Sequence, residues 1–380
     1  MARIVVFLFV VFIAGCASTQ QSIENLEPGQ QPAKESDIGT LWYHADKVEE
    51  QIKYTPQRIK DKELEAYIYG LVCKISPEYC ADIRVYIVDI PYFNASMAPN
   101  GMMLVYSGFL LRATSEDQVA FVLGHEVGHY VLQHSIKRYR HARSLENVLL
   151  VTGLISPLAA TVGSVSAYGA ISAYSRDNER EADEYGIQAL NRIGLNPAAG
   201  ADLFSLILEE EETKESRNRS TFFASHPAPT ERVEYISRHR NITEFNQHDQ
   251  RRFKEIKSRF LNRWLKKEVA KRDYAGSEIV FNRLKAENVS PELVDYYLGE
   301  LYRKRGEEGD LEKAAHHYEQ HTRGENPISG AFKKMASVFK KLGDLPSAIG
   351  GYESYLAQNP NASDAGYIQN QIKKLKGEVE

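Results

Sequence analysis

The sequence predicts an α+β chain that is mainly helical, with helices around a small sheet followed by an all-helical repeat region. Three observations carry this prediction. "LGHEVGH" (123–129) sets two histidines four residues apart inside an apolar, helix-forming stretch. Short β-branched runs precede it, "IRVYIVDI" (83–90) and "NASMAPNGMMLVYSGFLL" (94–111), the second broken by a Pro-Asn-Gly turn. Near the other end Pro291, Pro327 and Pro360 close three similar segments, 36 and 33 residues apart.

Taken in order, the chain begins with "MARIVVFLFVVFIAGCASTQ". Arg3 is followed by an uncharged apolar run, as in a secretory signal, predicted over 1–15. The run ends in "IAGC", which resembles the lipobox of bacterial lipoproteins and implies cleavage before Cys16 and lipidation of that cysteine. Ala17 after it points, by analogy with enteric bacteria, to the outer membrane. Residues 16–43 read as a polar tether. Export leaves Cys73 and Cys80 in an oxidising compartment, where the pair can close a small loop. With 43% apolar and 26% charged residues the chain is an ordinary globular protein, and a net charge of −4 argues against a nucleic-acid partner.

Residues 44–75 read as largely helical. The HExxH helix follows the strands, with Thr114 or Ser115 as its cap and Glu116 and Asp117 in its first turn. Its spacing puts His125 and His129 on one face, where two imidazoles can bind one tetrahedral zinc. Glu126 lies beside them, placed to take a proton from an attacking water. No charge occurs from Asn147 to Ser175, which suggests packed helices or a flap near the site. "SRDNEREADEYGIQALNRIG" (175–194) reads as a helix ended by Gly194 and offers Glu179, Glu181 and Asp183 as a third ligand. At about 100° per residue, 179 and 183 share a face and 181 points roughly 200° away from 179. Spacing alone does not choose between Glu179 and Asp183. The run Glu209–Glu212 reads as a solvated helix end. Residues 251–272, with ten Lys/Arg, read as a basic linker helix packed by Phe253, Ile256, Phe260 and Trp264. His316 and His317 read as repeat surface.

"LGHEVGH", "SRDNEREADEYG" and "SHPAPTERV", in that order and preceded by "NASMAPNGMMLVYSGFL", resemble the HtpX/Oma1-like family of zinc metallopeptidases over roughly residues 60–240. The Leu-Gly, Tyr, Ala and terminal Pro positions of the last hundred residues resemble the tetratricopeptide repeat. With the export signal, these repeats make the chain most like the periplasmic BepA-type, barrel-assembly-enhancing proteases, though it has a lipobox and fewer clear repeats. The resemblance implies a zincin-like domain over 44–245, a linker helix over 246–273 and repeats over 274–380. It implies one zinc per chain, held by His125, His129 and Glu179, with Glu126 as general base and Asp183 orienting a histidine ligand. Asn94 would line the substrate cleft, and His226 and Arg232 would approach the metal from the far side. His226 would then either stabilise an oxyanion, as would Arg232, or close the open coordination position. The expected activity is endopeptidase cleavage of envelope proteins by a lipid-anchored, periplasm-facing chain, with the repeats recruiting substrates or assembly partners. The alternative is a repeat-based scaffold or chaperone with a latent site.

Overall fold

The computed structural model describes residues 27–143, 173–213, 221–240 and 251–379. Cys16 with its signal-like stretch, and nearly all of the uncharged segment 147–175, lie outside the described residues. Among the described residues no helix is long and apolar enough to cross a membrane.

Helices α1 (Asp37–Tyr54) and α2 (Lys62–Ile75) come first. Capping sets both starts: Ser36 accepts from the Gly39 N–H and Asp61 from the Leu64 N–H. α1 begins inside the stretch expected to be a tether. Ile38 and Leu41 explain why, since both are buried in a cluster with Tyr86, Val88 and Leu104 of the sheet. A short 3-10 turn, Pro77–Asp82, follows α2, and Cys73 and Cys80 are joined across it by a disulfide with a Cα–Cα distance of 4.7 Å.

The sheet has three strands, β1 (Arg84–Val88), β2 (Ala95–Met97) and β3 (Met102–Tyr106), in the order β1-β3-β2. β3 lies between a parallel β1 and an antiparallel β2, and the Pro99-Asn100-Gly101 turn joins β2 to β3. The outer side of β1 is covered by residues 57–59, where the Ile59 N–H donates to the Ile87 carbonyl. Among the described residues the open edge is therefore β2. β3 is paired on both sides. Asn94 is buried at the entrance to β2 and its carbonyl accepts from the Tyr106 N–H.

Helix α3 (Ser107–Arg112) leads into α4 (Glu116–Val131), which carries the HExxH motif, and α5 (His134–Arg143) follows. Next come α6 (Arg176–Arg192), α7 (Ala199–Glu212), α8 (Thr221–Ser225) and α9 (Pro229–Ser237). α10 (Arg251–Ala270) is the expected basic helix. Phe253, Ile256, Leu261, Trp264 and Leu265 bury its apolar side in the same core as Phe121 and Phe204. The other side is paired locally, Arg263 and Lys267 with Asp89, Arg259 with Asp61. Six further helices follow: α11 (Tyr274–Ala286), α12 (Pro291–Arg305), α13 (Asp310–Thr322), α14 (Ala331–Leu342), α15 (Leu345–Gln358) and α16 (Ala365–Val379). Gly299 lets α12 and α13 approach closely, for a Cβ there would lie 2.9 Å from the Tyr318 ring.

One expectation fails in α7. Glu210 is not solvated; it is buried against Arg112 at 2.7 Å and Arg283 at 3.2 Å, so the acidic run is partly a core ion-pair site. Arg112 also holds Glu268 of α10 at 2.8 Å.

Candidate metal centre

The site is built on two crossing helices, α4 and α6. Ser115 caps α4 by accepting from the Gln118 N–H, and Ser175 caps α6 by accepting from Asn178. The helices meet through small residues. A Cβ at Gly128 would stand 3.0 Å from the Tyr185 Cβ and 3.1 Å from the Ala182 backbone. This close approach brings one face of α6, carrying Glu179 and Asp183, under the histidines of α4.

His125, His129, Glu179 and His226 are all buried, and one ligand atom from each lies within 4.8 Å of all the others. His125 Nε2 is 3.0 Å from His129 Nε2 and 3.1 Å from His226 Nδ1, which is 3.1 Å from Glu179 Oε1. Nδ1 of His125 donates to Asp183 Oδ1 at 2.9 Å, so its Nε2 presents a lone pair to the cluster. Burial first, then neighbouring Arg232, hold His125 down to about 4, and burial with His125 holds His129 well below the ordinary range. Both imidazoles are therefore neutral at pH 7, the form that ligates metal. Burial pushes the Glu179 carboxyl up, but His226 and Arg232 outweigh it and keep the group ionised. One ligand atom from each of these four residues can face a common metal ion, and this borderline-soft donor set fits zinc.

Glu126 is buried beside the cluster but contributes no ligand atom to it. It accepts from the Met97 backbone N–H on the open edge strand, while Oε1 has no hydrogen-bond partner among the described residues and lies 3.6 Å from His226 Nε2. Burial pushes this carboxyl up to about 7. His226 thus stands between the other members of the cluster and Glu126. Phe222 stacks on it at 4.4 Å.

Arg232 is placed differently from the expected oxyanion partner. Its Nε and Nη2 donate to Asp183 at 2.8 and 2.7 Å, and Nη1 is 2.7 Å from Glu179 Oε2. The guanidinium, buried and committed to two carboxylates, braces the ligand shell from behind. Glu181 points away from the cluster, as the helix period requires, yet its carboxylate meets His134 at 2.9 Å. Two residues at the centre escaped the sequence reading. His134 touches His129 Nδ1 at 2.9 Å, and Tyr174 stacks on the His129 ring at 3.8 Å. The one available signal was a third histidine five residues after the motif.

Residues 58–240 match peptidase family M48. The chain is 31% identical over 148 residues to metalloprotease YcaL of Escherichia coli (strain K12), covering 38% of this chain and 56% of that protein. It is 32% identical over 148 residues to metalloprotease LoiP of the same organism, covering 38% and 57%. It is 24% identical over 213 residues to the beta-barrel assembly-enhancing protease of that organism, covering 52% and 43%. The chain thus spans a little over half the length of the first two relatives and under half of the third. Over residues 58–240 the chain is thus similar to peptidase family M48.

Proposed function

We propose that this chain is a zinc-dependent endopeptidase acting on proteins of the bacterial envelope. The observation that carries the reading is the convergence of His125, His129 and Glu179, with Glu126 alongside, between the open strand β2 and α6. Zinc held by these three residues would supply Lewis-acid polarisation of a scissile carbonyl and an acidified water. An extended polypeptide would add to β2 by main-chain hydrogen bonds. Glu126, near neutrality by burial, would take the proton of the attacking water and pass it to the leaving amine nitrogen. Asp183 and Arg232 would keep the His125 ring oriented and Glu179 ionised. His226 would be a latch. Its Nδ1 fills the fourth direction around the cluster, so the loop bearing it must move before a substrate carbonyl can enter.

That closed arrangement also favours a second reading, a scaffold or chaperone whose site is mostly shut. The packed helices from α11 onward, with Gly299 against Tyr318, support tetratricopeptide-like repeats that recruit substrates or assembly partners. The relative named for beta-barrel assembly supports an envelope role. The "IAGC" stretch supports a lipid anchor at Cys16 facing the periplasm, checked by loss of acyl labelling in Cys16→Ala.

Cleavage of an unfolded protein such as casein tests the main reading. Glu126→Gln should keep its zinc and lose about 10²–10⁴ in rate. Unchanged cleavage in Glu126→Gln would overturn it.

A further inference from the structure

We propose that His134 and Glu181 form a second positioning arm, which fixes the tautomer and direction of the zinc ligand His129. This rests on the metal-centre reading above and deepens it.

Of the two motif histidines, Asp183 holds only His125, so His129 needs a partner of its own. His129 Nδ1 lies 2.9 Å from His134 Nδ1, and His134 Nε2 lies 2.9 Å from Glu181 Oε2. With both rings neutral, only one proton arrangement satisfies the chain from end to end. Glu181 accepts from the Nε2–H of His134. His134 Nδ1 therefore carries the lone pair and accepts from the Nδ1–H of His129. His129 Nε2 is then left with its lone pair aimed at the cluster. Without Glu181, His134 could carry its proton on Nδ1 and oppose the His129 N–H.

The backbone is bent to make this contact. Five residues after His129, position 134 would not share its face on a continuous helix. α4 stops at Val131, and Gln133 takes a left-handed conformation, φ 55°, unusual for a residue with a side chain. Such a residue costs about 1–2 kcal/mol. α5 then starts at His134 and turns that ring, with no exposed surface, under His129. The same turn carries Ser135, whose hydroxyl is 3.0 Å from the Tyr174 hydroxyl, and Tyr174 stacks on the face of His129. α5 thus holds the His129 ring by its edge and its face.

Zinc affinity, measured by competition with a chromogenic chelator, tests the arm, with melting of the metal-free protein as control. His134→Leu removes the acceptor and should weaken zinc binding about 10–100-fold. His134→Asn sets an amide oxygen near the place of Nδ1 and should recover most of that loss, with metal-free melting matching the Leu variant. Glu181 sits on a half-exposed site, so Glu181→Leu should fold normally and still weaken zinc about tenfold. Wild-type affinity in Glu181→Leu, or equal loss in His134→Leu and His134→Asn, overturns the arm. Failure of the wild-type chain to bind zinc would instead overturn the metal-centre reading.

Discussion

Arg112→Met should destabilise the protein by about 3–5 kcal/mol at pH 7, the usual cost of removing one partner from a buried ion pair. Arg112 ends α3, and its guanidinium reaches Glu210 of α7 and Glu268 of α10, at 2.7 and 2.8 Å. All three side chains are at most 2% exposed, so solvent cannot replace the lost charge. A second route gives a similar size. Burial pushes the Glu268 carboxyl up, but Arg112 and then Lys271 outweigh it and bring it from 4.5 down to about 2. At 1.36 kcal/mol per pH unit this is about 3 kcal/mol, shared between the two cations. The group is depressed in the folded state, so its contribution is complete above 4.5 and is lost as pH falls toward 2. The gap between wild type and Arg112→Met should therefore narrow over that range. Trp264, buried one turn before Glu268, reports the event by fluorescence in urea titrations, in a Trp42→Phe background. A variant within about 1 kcal/mol of wild type at pH 7, or a gap independent of pH, would refute the reasoning.

His226→Ala should keep its zinc and raise basal cleavage, self-cleavage included; retained metal with no cleavage would make His226 part of the catalytic apparatus instead of a latch. Burial pushes the Lys257 ammonium, which donates to the Ala113 carbonyl at 2.7 Å, down to about 7 from 10.5. The unfolded chain holds that proton up to 10.5, so the penalty for burying it is full below about 7 and fades as pH rises. Lys257→Met should thus gain at least about 2 kcal/mol more over wild type at pH 6 than at pH 10, read from urea midpoints; an equal effect at both would reject this.

The sequence made the ligand pair legible because His125 and His129 need only the helix period to share a face. It narrowed the candidates for a third ligand to one face of α6 but could not separate Glu179 from Asp183. That choice depends on how closely Gly128 lets α6 approach, a tertiary fact. His134 was hidden because its position depends on one left-handed residue, Gln133, which no local pattern announces. Glu210 looked like a solvated charge because its partners, Arg112 and Arg283, are distant in the chain. Ile38 and Leu41 were lost in a polar stretch, although they are the residues that dock α1 on the sheet.

One metal is expected against the face of α6 that carries Glu179. Elemental analysis of the purified chain and two variants tests this directly. We expect about one zinc per chain in the wild type, loss of it in Glu179→Ala, and retention in Glu181→Ala at saturating zinc. A wild-type chain without zinc, or equal loss in the two variants, would contradict it.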